Sequence, residues 1–171
     1  MKDLILIINE IVKYGLQPNL TIEDRDKLLE KNLIRIYSIV LNISYDFDNL
    51  EYLDSDKIQY HLVRQNVETN FANFGLYRTT IGNIEDFDSP NELGVGDAID
   101  DLTDIIFDLL EVKARIENNS TNNGLEHFEV IFYCHTQQHI LDLLNYMKQI
   151  NGLPDELRTK FNKKKQDFRL D

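Results

Sequence analysis

Asp97-Ala98-Ile99-Asp100-Asp101-Leu102-Thr103-Asp104-Ile105-Ile106-Phe107-Asp108-Leu109-Leu110-Glu111 is the stretch that decides the fold. Ile99, Leu102, Ile106 and Leu109 return every three or four residues. That is the spacing of one face of an α-helix, not the alternation of a strand. The spacing predicts a helix from about Asp97 to Glu117, with Ile116 also inward. Asp97, Asp101, Asp104, Asp108 and Glu111 make a second, acidic stripe along it. An Asn/Ser/Thr/Gly turn around Ser120 follows, and a longer helix is expected from about Gly124 to Ile150. Gly152 and Pro154 stop it.

Upstream, Ile5, Ile8, Ile11 and Val12 recur at helical spacing in a run short enough for a strand, and Gly15 ends it. Thr21 with Asp24 resembles a capping arrangement for the next helix. Leu29, Leu33, Ile36, Val40 and Ile43 form the stripe of that helix. A third helix is expected from near Asp56, with Tyr60, Val63, Val67, Phe71 and Phe74 on one side. Gly75 and Thr79-Thr80-Ile81-Gly82-Asn83 mark its end, and Glu85 to Gly96 reads as a loop. The expected fold is all-α: an antiparallel up-and-down helical bundle of about five main helices plus a short C-terminal helix. It forms one domain over residues 1–171, with a core at about 21–150 and a basic helix or tail at 154–171.

Composition agrees. A chain of 171 residues with 42% hydrophobic and 28% charged residues can build one core, burying about 70% of its unfolded surface. Seven glycines and three prolines leave little turn chemistry for a many-stranded sheet. The single cysteine, Cys134, excludes an internal disulfide and fits a reducing compartment. The apolar run at Leu4 to Ile8 is too short for a signal sequence, and no run approaches the ~20 apolar residues of a membrane span, so a cytoplasmic protein is expected. The net charge of −12 repels phosphate backbones and anionic membrane surfaces, which argues against both as partners. It is unevenly spread: Thr79 to Val112 holds ten acids and no Lys or Arg, whereas Pro154 to Asp171 holds six basic residues against four acids.

Gly96 to Leu109, followed by a turn and Leu125-Glu126-His127-Phe128-Glu129-Val130-Ile131-Phe132-Tyr133-Cys134-His135-Thr136-Gln137-Gln138-His139, resembles a bacterial family, domain of unknown function 5063. The resemblance spans about Thr21 to Met147. It is carried by an Asp-Asp-Leu-x-Asp-Ile-x-x-Asp-Leu helix paired with a His-x-x-x-His helix, and implies an up-and-down helical bundle but no activity. Between the two histidines the family pattern has Trp-Gly-Arg where this chain has Thr136-Gln137-Gln138. A later Arg of the pattern is also missing, in the region of Asn145-Tyr146-Met147.

The chemistry concentrates on those histidines. At about 100° per residue, His135 and His139 fall on the same face as Phe128 and Tyr146, so they turn inward. Asp142 sits at the edge of that face. His-x-x-x-His-x-x-Asp can bring two imidazoles and a carboxylate to a divalent metal, and in an antiparallel hairpin Asp101 and Asp104 come level with them. The plainer alternative is two core histidines held by Tyr, Asn or Asp from neighbouring helices. Most acids of the preceding helix should face water, with Asp101 and Asp108 near the boundary. Cys134 and His135 point about 100° apart, a poor thiol–imidazole pair. His61 and Gln65 read as surface groups, and Phe71, Phe74, Tyr77 and Phe87 as core. No phosphate-binding loop, dinucleotide fingerprint or zinc-protease helix is present.

Two functions follow. The leading expectation is a non-enzymatic interaction module whose acidic face, with Asp97, Asp101, Asp104, Asp108 and Glu111, binds a basic protein partner. The other is a metal-binding protein or metal-dependent hydrolase in which His135, His139 and Asp142 are ligands and Asp101 or Asp104 completes the shell. No cofactor other than a divalent metal is expected.

Overall fold

A computed structural model of the chain describes residues 2–52, 59–81 and 92–152. Its elements are α1 (Lys2–Leu16), α2 (Arg25–Val40), α3 (Tyr60–Asn70), β1 (Leu76–Ile81), β2 (Glu92–Asp97), α4 (Ala98–Asn118), α5 (Thr121–Ile131), a single π-helical turn (Phe132–Thr136) and α6 (Gln137–Asn151). The protein is mostly helical, with one two-stranded antiparallel sheet. No helix among the described residues is long and apolar enough to cross a membrane.

Most of the stripes seen in the sequence become core. In α1, Ile8, Ile11 and Val12 are buried with Leu4 and Ile7, while Ile5 is half-buried; in α2, Leu29, Leu33, Ile36 and Val40 are buried, while Ile43 lies beyond the helix and is half-buried. Each such side chain contributes on the order of 1.5–3 kcal/mol by leaving water. α4 is the hub, with Leu102, Ile105, Ile106, Leu109 and Val112 fully buried and α1, α3, α5 and α6 packed around it. Its start is set by Asp97, which ends β2 in an extended conformation and accepts a hydrogen bond from the Ile99 amide (3.0 Å). After α4, Ser120 caps α5 by accepting from the Asn123 amide (3.0 Å). There the helices touch closely: a Cβ on Gly124 would lie 2.2 Å from Ile116 Cγ1 and 2.8 Å from the Ile116 backbone nitrogen. The turn reverses the chain, so α5 and α6 run back along α4.

The structure departs from the sequence reading in four places. The third helix stops at Asn70, not Phe74, because the Asn70 side chain leaves its helix to bond the Tyr14 and Gln17 carbonyls (2.8 and 2.6 Å) and the Leu20 amide (2.7 Å). Residues read as a helix end and a loop instead pair as β1 and β2, with Tyr77 opposite Gly96 and Thr79 opposite Gly94. The expected Thr21–Asp24 cap does not form: Asp24 is left-handed (φ 53°) and its side chain makes no capping bond. The long last helix is broken by the π turn, where Gln137 N–H reaches back to the Phe132 carbonyl. Asp56, Phe87, the segment 85–91 and the tail at 154–171 lie outside the described residues.

Candidate metal centre

α4 and the α5–π–α6 run meet along a polar seam. Asp101 and Asp108 stand at the edge of α4's apolar stripe, as expected, and are buried. Asp108 Oδ2 accepts from Nδ1 of His135 (2.9 Å) and from the Thr136 hydroxyl (2.6 Å). Asp101 Oδ1 accepts from Nδ1 of His139 (2.9 Å), and its Oδ2 from the Tyr77 hydroxyl (2.6 Å). A carboxylate only accepts, so each Nδ1 carries its ring's proton. The Nε2 atoms of the two rings then point at each other, 3.2 Å apart.

Asp104 completes the cluster. Its Oδ2 lies 3.5 Å from His139 Nε2, while its Oδ1 accepts from the Tyr60 hydroxyl (2.8 Å). Among the described residues, Asp104, His135 and His139 are the group whose ligand atoms all lie within 4.8 Å of one another. The His135 side chain is 44% exposed, against 23% for His139 and 18% for Asp104, so the cluster opens to solvent on one side.

Electrostatics follow the contacts. The hydrogen bond to Asp101 raises the His139 pKa, with the charges of Asp104, Asp101 and Asp108 adding to it and burial opposing. Burial, then the bond to Asp104, keeps the Tyr60 phenol protonated well above its usual range, and burial with the bond to Asp101 does the same for Tyr77. Both tyrosines therefore act as fixed donors that orient carboxylates.

The other expected site residues are placed differently. Asp142 accepts from the Gln138 side chain (2.9 Å) and stands outside the cluster. The carboxylate that does join the two histidines is Asp104, from the facing helix. Asp97 bonds Arg64 (2.8 Å), which also holds Asp100 (2.6 Å). Glu111 accepts from Arg115 (2.9 Å). The acidic stripe thus has internal partners at Asp97, Asp101, Asp104, Asp108 and Glu111. His61, Gln65 and Cys134 are exposed, and Phe71 and Phe74 are core.

Sequence reasoning missed Tyr60, Tyr77, Arg64 and Thr136. The first three approach from α3 and β1, far along the chain; Tyr60 and Tyr77 read only as core positions, and nothing in the sequence ties them to the seam. Thr136 lies between the two histidines. On a regular helix it would point about 100° from His135, yet in the π turn both reach one oxygen of Asp108. His127, within the quoted motif, was also passed over; its Nε2 lies 3.4 Å from Glu111 without forming a hydrogen bond.

The chain matches no protein-family model, no curated protein and no solved structure. The roles of these residues therefore rest on geometry.

Proposed function

We propose that the protein binds one divalent transition-metal ion through Nε2 of His135, Nε2 of His139 and a carboxylate oxygen of Asp104. The observation that carries this is the pair of facing Nε2 atoms, 3.2 Å apart, with both Nδ1 protons committed to buried carboxylates. Two lone pairs at that distance repel unless something electropositive lies between them. Imidazole nitrogens that each sit about 2.0–2.1 Å from one tetrahedral ion are roughly 3.3–3.4 Å apart, which supports an ion in that place.

The surroundings support the same reading. Metal-bound imidazoles commonly donate their other N–H to a carboxylate, which fixes the ring and raises its basicity. Asp101 and Asp108 do this for both rings, and Tyr60 holds Asp104. Two nitrogens and one oxygen suit zinc, iron, cobalt or nickel better than magnesium or calcium. The open side leaves positions for water or an external ligand. An up-and-down bundle is a common scaffold for such carboxylate-rich sites, and the antiparallel run of α4 with α5 and α6 supports that architecture here.

The test is elemental analysis of protein purified without chelators, followed by titration with zinc or cobalt. About one equivalent is expected. His135→Ala and His139→Ala should lose it, and Asp108→Asn should stay folded and bind about 10–100-fold more weakly. No metal above background and no uptake on titration would leave the histidine pair bridged by a proton and overturn the proposal.

A further inference from the structure

We infer that occupancy of this metal site controls how firmly the β1–β2 hairpin is held against the helices, through the shared carboxylate of Asp101; the inference rests on the metal reading above. The hairpin is attached in an unusual way. Its outward face carries Leu76, Leu93 and Val95, between 71% and 73% exposed, beside the exposed Arg78 and Thr80. Its inward face pairs Tyr77 with Gly96 and Thr79 with Gly94, so Tyr77 supplies the one large described side chain on that side.

Tyr77 is closely fitted. A Cβ on Gly96 would fall 2.2 Å from its ring, so the ring lies directly over the Gly96 backbone. The ring also meets Tyr146, with centroids 5.5 Å apart. Its hydroxyl ends on Asp101 Oδ2, while Asp101 Oδ1 receives the His139 Nδ1 proton. Among the described residues, other ties near the hairpin are the Arg64–Asp97 ion pair, the Ala98 amide on the Gly75 carbonyl and the Gly75 amide on the Tyr146 hydroxyl, all at its helical end.

The metal and the hairpin therefore cooperate through one carboxylate. An ion on Nε2 leaves Nδ1 as the only position for the ring proton of His139, so Asp101 is held by a donor on each oxygen. Without the ion, the His139 ring loses its anchor at Nε2. Its Nδ1 N–H is then less firmly aimed at Asp101 Oδ1, the carboxylate is steadied mainly by the Tyr77 hydroxyl, and the anchor of the hairpin slackens. Coupling of this kind is reciprocal: what strengthens the Tyr77 anchor also strengthens metal binding. The element that carries the coupling is the Asp101 side chain, and the structure that responds is the hairpin.

Hydrogen exchange on the full chain tests this, comparing zinc-loaded protein with the same protein after removal of metal by chelator. Amides of residues 76–81 and 92–97 should exchange several-fold more slowly with zinc, while those of α1 and α2 should not change. Tyr77→Phe should still bind zinc, more weakly, and show no zinc-dependent protection of the hairpin. Stoichiometric zinc uptake with unchanged hairpin exchange would overturn the coupling alone. So would a Tyr77→Phe protein that keeps the protection. Absence of any zinc uptake would overturn the metal reading and this inference together. The wild-type comparison decides the matter even if Tyr77→Phe does not fold.

Discussion

At the scale of single residues, the seam contains one histidine that is neither a proposed ligand nor well satisfied. His127 is 19% exposed, its Nε2 has no hydrogen-bond partner, and burial lowers its pKa below the ordinary value. The sign of the consequence follows. The unfolded chain takes up a proton as the pH falls through about 6.5, before the folded protein does, so acid favours unfolding. Above that range His127 is neutral in both states and imposes no penalty. Replacing it by Leu should leave stability near neutral pH close to that of the wild type. At about pH 5 the variant should lose less stability than the wild type does. Denaturant unfolding of both proteins at the two pH values checks this, and an equal loss in both would remove His127 as the cause. The sequence carried part of this seam: His135 and His139 on an inward face, with Asp101 and Asp108 at the stripe boundary, were legible from angles alone. Of the candidate carboxylates Asp104 joins the two histidines and Asp142 does not, because the choice depends on which helix lies opposite, information that one helix's periodicity does not contain.

At the scale of elements, the legible parts were those whose apolar spacing is long and regular, namely α1, α2 and α4. The hairpin was not legible. Its strands are six residues each, Gly94 and Gly96 read as loop, and its apolar residues face outward instead of marking a buried side. The π turn has no composition signal either, since one wider turn inside a helix leaves the flanking 3.6-residue pattern nearly intact. The α4–α5 reversal depends on a residue whose importance the sequence understates. Gly124 was read as a helix start, yet its significance is the approach of Ile116. Gly124→Ala would drive a methyl group against a backbone nitrogen that cannot step aside, so the two helices must separate. The expected cost is on the order of 1–3 kcal/mol, the range for overpacking a close contact. Urea unfolding should show it as a lower midpoint with an unchanged slope; an unchanged midpoint would mean that the turn has room the structure does not show.

At the scale of the whole molecule, the protein carries a net charge of −12 and encloses Asp101, Asp104 and Asp108 around two imidazoles along one helix pair. Like charges held this close oppose folding unless a cation or donors offset them. The tyrosine, threonine and histidine donors do so in part, and a divalent ion would do so more fully. An ion that binds only the folded state adds about 2.7 kcal/mol when present at a hundred times its dissociation constant. For a chain of this size each kcal/mol moves the unfolding temperature by roughly 2–4 °C, so saturating zinc should raise it by roughly 5–10 °C. General screening of surface charge would also stabilise so acidic a protein, but it would not distinguish ions of equal charge. Calcium and magnesium at the same concentration should therefore give little, because imidazole nitrogens suit borderline ions and not hard ones. His139→Ala should begin from a lower midpoint, having left Asp101 without one of its donors, and show no zinc increment above that of calcium. A zinc increment that survives in His139→Ala, or is matched by calcium in the wild type, would assign the effect to charge screening and remove the seam as its site.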